Sequence, residues 1–103
     1  MAHQIIWSRL AARDLEGIVA YISRDSFIYA ANAAQKILDS IERLRVFPRI
    51  GRIVPEFDDE SIRELIVYSY RVIYRVRKGD VVVAAIIHGA RDLPNALRGA
   101  RSS

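Results

Sequence analysis

Residues 62–92 read IRELIVYSYRVIYRVRKGDVVVAAIIHGARD, and their alternation decides the fold. Tyr70, Val72, Tyr74 and Val76 alternate with Arg71, Ile73, Arg75 and Arg77. Successive side chains of a strand point to opposite faces, so one face is aromatic and aliphatic and the other carries three arginines. The flanking apolar runs Ile62–Val67 and Val81–His88 are of strand length. Tyr68-Ser69 and Lys78-Gly79-Asp80 are too short to join anything but antiparallel neighbours. If Tyr68-Ser69 is a two-residue turn, Val67 pairs with Tyr70, Leu65 with Val72 and Arg63 with Tyr74. Leu65 and Val67 then share the core face, and Arg63 lies at its rim with its stem packed and its head reaching out. Glu64 falls on the arginine face, diagonal to Arg71 and Arg75 and within reach of a salt bridge.

His88 depends on the second turn. A two-residue turn at Lys78-Gly79 pairs Arg77 with Asp80 and puts His88 on the arginine face near Arg71. One more residue in the turn flips the parity and sends His88 towards the opposite face. Beyond His88, Gly89 lets the chain leave the strand and holds Arg91 just past the sheet end.

Upstream of this stretch the chain reads as packing. Residues 4–7, QIIW, form a short first strand. Ser8 is placed to cap a helix over residues 9–24, whose apolar stripe is Ala11, Leu15, Ile18 and Ile22. Asp25 and Ser26 interrupt it and cap a second helix with the stripe Ala34, Ile37, Leu38, Ile41 and Leu44, stopped by Pro48. So short a link makes an antiparallel helical hairpin. Residues 48–61, PRIGRIVPEFDDES, with two prolines and a glycine, read as an irregular surface loop. Its acidic run at residues 58–60 has neither the glycine turn nor the further ligands of a cation site. The fold class is therefore α+β in the order β-α-α-β-β-β, an antiparallel sheet with a helical hairpin on one face.

With 103 residues, the chain is expected to be one domain, and 51% hydrophobic content suffices for one core. The absence of cysteine removes disulfides, thiolate metal sites and a cysteine nucleophile, and suits a reducing cytoplasm. The stretch MAHQIIWSRL lacks the apolar core of a secretory signal, and no run approaches the roughly 18 apolar residues of a membrane span. A cytoplasmic protein without membrane contact, metal or cofactor is the expectation. The net charge is +4 and unevenly spread: residues 1–60 hold 8 basic and 9 acidic side chains, residues 61–103 hold 8 and 3. A cationic C-terminal part favours an anionic partner, either nucleic acid or an acidic protein segment. Arg49, Arg52, Arg71, Arg75, Arg77 and Arg91 are the candidate partner-binding residues.

The pieces WS-x-x-A-x-x-D-L, FPRIGRIVPE, IREL, YRVIYRV and HGARD, in this order, resemble the RelE/ParE superfamily of bacterial toxins. The resemblance implies a compact α/β toxin neutralised by a cognate antitoxin, the pair binding its promoter DNA through the antitoxin. It covers two branches. RelE-like members act with the ribosome as mRNA endoribonucleases, and here Arg63 and Arg71 would hold the phosphate while His88 or Arg91 handles a proton. ParE-like members inhibit DNA gyrase and need no catalytic acid or base. Only two lysines, Lys36 and Lys78, are present, no tyrosine follows Tyr74, and Gly89 follows His88, so the residue set of many RelE-like sites is incomplete. The ParE-like branch is the first reading, the ribonuclease the alternative.

Overall fold

The computed structural model describes residues 2–89. Strand β1 (Gln4–Trp7) leads into α1 (Arg9–Ser23) and α2 (Phe27–Glu42), which form the expected hairpin. Strands β2 (Arg52–Ile53), β3 (Ile62–Val67), β4 (Tyr70–Val76) and β5 (Asp80–His88) follow. The sheet order is β1-β5-β4-β3-β2. β3, β4 and β5 are antiparallel neighbours as expected, whereas β1 joins the far edge parallel to β5, so the sheet is mixed. β2 lies inside the segment expected to be irregular and pairs Arg52 with Glu64 and Ile53 with Arg63.

α2 ends at Glu42, before Pro48, and a tight turn over Arg43–Arg45 replaces its last stretch. That turn carries Leu44 fully into a cluster with Tyr74, Val76 and Val81, and His3 donates its backbone N–H to the Arg45 carbonyl at 2.8 Å. Tertiary packing ends the helix here, ahead of the proline. The buried face of α2 is Ala30, Ala33, Ile37 and Ile41, so Leu38 stays 40% exposed.

The β4 alternation holds. Val72 joins Ala11, Ile37, Ile41, Val67, Val83 and Ile86 under the helices. Each buried valine or isoleucine there contributes about 2 kcal/mol. The opposite face is not an open arginine surface, because it has a core of its own. Val54, Ile73, Ala85 and Ile87 cluster there with Phe57 and Ile62, so the segment after β2 lies over the sheet.

The β3–β4 register is the one read from the Tyr68-Ser69 turn, pair for pair. β5 departs from the simple pattern. Arg77 donates its N–H to the Asp80 carbonyl at 2.9 Å, as the two-residue turn requires. Between Ile73 and Tyr74, however, the pairing steps from Ala85 to Val83, and Ala84 is the extra residue of a bulge. An inserted residue reverses the parity of everything after it. His88 therefore pairs with Tyr70 and has the helix-side parity, opposite to that of Arg71.

The bulge is held from α1. Where β1 stops, Ser8 Oγ donates to the Ala84 carbonyl at 2.9 Å while also accepting from the Ala11 N–H at 3.0 Å as the helix cap. Asp14 Oδ2 accepts from the Ile86 N–H at 2.8 Å. The stretch WS-x-x-A-x-x-D-L thus supplies a half-buried tryptophan packed against the core, the cap, a fully buried Ala11 and an acceptor for the sheet edge. Ser8→Ala removes the cap and strands a bulge carbonyl, so denaturant unfolding should show a loss of about 1–2 kcal/mol.

Candidate functional site

Arg71, the second residue of β4, lies on the face away from the helices and is 8% exposed. Its Nη1 and Nη2 donate to the two carboxylate oxygens of Glu56 at 2.8 and 3.0 Å. Its Nε donates to Glu64 Oε1 at 2.5 Å. Glu64 is 1% exposed, and its second oxygen accepts from Arg52 Nε across the β2–β3 pair. Two guanidinium groups and two carboxylates thus form a neutral chain across the sheet. Hydrogen bonds donated to Glu56, then to Glu64, hold the Arg71 guanidinium above its already high range, and Arg71 holds the Glu56 carboxyl below the usual value.

Glu56 gives a signed prediction. A carboxyl depressed in the folded state adds stability above its unfolded value near 4.5, and that stability fades as pH falls through the folded value. Unfolding curves taken from neutral pH down through 4.5 should therefore show a shallower acid loss for Glu56→Gln than for the wild type.

Arg63 sits at the rim, as expected, opposite Tyr74. Its Nε donates to the Glu60 carbonyl at 3.0 Å, and its Nη1 to the carbonyls of Arg49 at 3.2 Å and Gly51 at 3.0 Å. Gly51 N–H in turn donates to the fully buried Tyr74 hydroxyl at 2.9 Å, and burial pushes that phenol above its ordinary range. Arg63 and Tyr74 together bind residues 49–51 to the sheet.

The other expected residues are scattered. Arg77 makes a bidentate pair with Asp80 at 2.5 and 2.9 Å, closing the β4–β5 turn. Arg75 reaches Ser61 Oγ at 3.4 Å and is exposed. Arg49 is exposed on the segment before β2. Arg91 lies outside the described residues. His88 is exposed at the end of β5, with its ring edge-on to Tyr70 at 6.0 Å. A cleft of about 440 Å³ at this end of the sheet is lined by Arg52, Glu56, Ser69, Arg71 and His88 among others.

One feature escaped the sequence reading. The tip of the helical hairpin exposes Tyr21 at 67%, Phe27 at 81%, Ile28 at 74% and Tyr29 at 71%, and the β3–β4 turn adds Tyr68 at 63%. Tyr29 and Tyr68 line a shared depression with Tyr70. The available signal was FIY directly after the Ser26 cap, three large apolar residues lying before the buried stripe begins.

The family model described as the ParE toxin of the type II toxin–antitoxin system parDE matches residues 5–93. The chain belongs to the ParE toxin family. The match takes in every strand and helix above except Gln4, the first residue of β1. Toxin ParE3 of Caulobacter vibrioides is 28% identical over 91 residues, covering 87% of this chain and 90% of that protein. Putative toxin Y4kP of Sinorhizobium fredii is 31% identical over 99 residues, covering 91% and 96%. A solved structure titled as a chromosomal ParDE TA system from P. aeruginosa shares the fold, with a TM-score of 0.69 at 22% identity, covering 84% of this chain and 96% of that one. In this ParE-family toxin, no helix among the described residues is long and apolar enough to cross a membrane.

Proposed function

We propose that this ParE-family toxin arrests growth by binding DNA gyrase in the cytoplasm, and that a cognate antitoxin holds it inactive and carries the pair to promoter DNA. The observation that carries the reading is how the sheet arginines are used. Catalysis of RNA cleavage needs cationic donors aimed at the phosphate where charge develops. In the free chain Arg71 is paired with Glu56 and Glu64, and Arg63 with three backbone carbonyls. His88 has the sheet parity opposite to Arg71. A toxin that works by surface contact has no need of these groups.

The aromatic tip of the hairpin is the surface we assign to the antitoxin. Contiguous exposed apolar surface on a small domain marks an interaction site, and tyrosine and phenylalanine are the residues that anchor interfaces. The cationic residues Arg49, Arg52 and Arg75 remain at the surface as a second, polar contact region.

The ribosome-dependent ribonuclease is the second reading. Its supporting observation is that Arg52, Arg71 and His88 line one cleft. His88→Ala separates the two. The gyrase reading predicts that induced His88→Ala still arrests growth and that transcripts carry no new codon-positioned 5′ ends. Abolished toxicity together with loss of such cuts, in a variant that folds, would replace it with the nuclease.

A further inference from the structure

The two carboxylates on Arg71 are not equivalent. Glu64 is on a central stretch of β3, its side chain wholly buried and fixed by Arg71 and Arg52 together. Glu56 is on the turn after β2, its side chain 35% exposed and facing the cleft lined by Arg52, Ser69 and His88. That turn does not depend on Glu56 for its shape. Val54 is fully buried beneath it, and the N–H groups of Phe57 and Asp58 donate to the Val54 carbonyl at 3.2 and 3.3 Å. Rotation of the Glu56 side chain alone would open the Arg71 fork to the cleft. Glu64 would remain, leaving one positive charge in excess across Arg52, Arg71 and Glu64.

We propose that the Arg71 fork is a carboxylate-binding site which Glu56 fills in the free chain, and that an acidic side chain of a protein partner displaces Glu56 there. The fork demonstrates its preference in the bond it already makes, a planar two-point pair with a carboxylate. Exchange of one carboxylate for another keeps both hydrogen bonds at the fork. Displacement also changes what the surface presents, because Glu56 moves out beside Arg52, whose side chain is 63% exposed. Ile66, 58% exposed on the same cleft, gives an incoming acidic segment an apolar neighbour for its next contact. The inference rests on the reading that this toxin works through protein partners, but its test involves neither gyrase nor antitoxin.

The test follows the Arg71 Nε–H resonance by NMR while the purified chain is titrated with acetate, and separately with inorganic phosphate. Glu56→Gln removes the internal competitor. Acetate should then bind about tenfold more tightly than in the wild type, because a masked site loses apparent affinity in proportion to its open fraction. Glu56→Asp, with a shorter reach, should fall between the two. Equal acetate affinity in all three proteins, or an Arg71 signal that does not respond, would overturn the masked site. Tighter binding of phosphate than of acetate in Glu56→Gln would overturn the carboxylate assignment. Failure of the gyrase reading would leave all of these outcomes unchanged.

Discussion

Arg71→Met should lower the free energy of unfolding by roughly 3–5 kcal/mol, the cost of breaking a buried ion pair from one side. The loss comes less from the bonds removed than from what they leave behind. Glu64 is 1% exposed and would keep its charge with only Arg52 to face it. Glu56 would lose both of its hydrogen bonds to the sheet. Urea unfolding of the purified variant measures the effect. The double substitution Arg71→Met with Glu64→Leu should recover a large part of it, since apolar replacement of a whole buried pair is often neutral. A loss below about 1 kcal/mol in the single variant would show the pair to behave like an exposed one. Any loss of toxicity in Arg71→Met has to be read against this stability change before a functional role is assigned.

Gly51→Ala is expected to cost about 3 kcal/mol, near the top of the range for overpacking. A Cβ at Gly51 would lie 2.5 Å from the Glu64 carbonyl oxygen and 2.6 Å from the Tyr74 hydroxyl. The first is backbone of β3 and the second is a fully buried side chain, so neither can give way cheaply. The same close approach allows the Gly51 N–H to reach Tyr74 and its carbonyl to reach Arg63. Thermal unfolding should show a lowered midpoint, with loosening of residues 49–51 visible as faster amide exchange there. By contrast Gly79→Ala, with open space at its Cβ position, should change little.

Much of the fold was legible because it rests on local pattern. The alternation in Tyr70–Val76 and the turn at Tyr68-Ser69 set the β3–β4 register, and with it Arg63 at the rim and Glu64 beside Arg71. Ser8 and Ser26 announced both helix starts. What was not legible depends on residues far apart in the chain. The Ala84 bulge that turns His88 over is stabilised by Ser8 and Asp14, separated from their partners by 76 and 72 positions. The turn length alone gave the right pair at Arg77 and Asp80 and the wrong face for His88.

The arginines teach a similar lesson about charge. In the sequence, Arg71, Arg75 and Arg77 read as one cationic face, although Glu64 lay within reach of Arg71 and Asp80 opposite Arg77. Folding brings Glu56 and Glu64 to Arg71 and Asp80 to Arg77. The face is divided into internal ion pairs and a small second core built from Val54, Ile73, Ala85 and Ile87. Apolar residues 27–29, outside the stripe read for the second helix, are turned outward at the hairpin tip.

Under the gyrase proposal, this ParE-family toxin acts by binding gyrase and needs no catalytic group of its own. The direct measurement is a supercoiling assay with purified gyrase, relaxed plasmid and a molar excess of the purified chain, run with wild type and His88→Ala. Both proteins should block supercoiling and accumulate cleaved DNA–gyrase complexes on detergent quenching. Full supercoiling at every excess of folded wild-type chain would rule out the gyrase proposal.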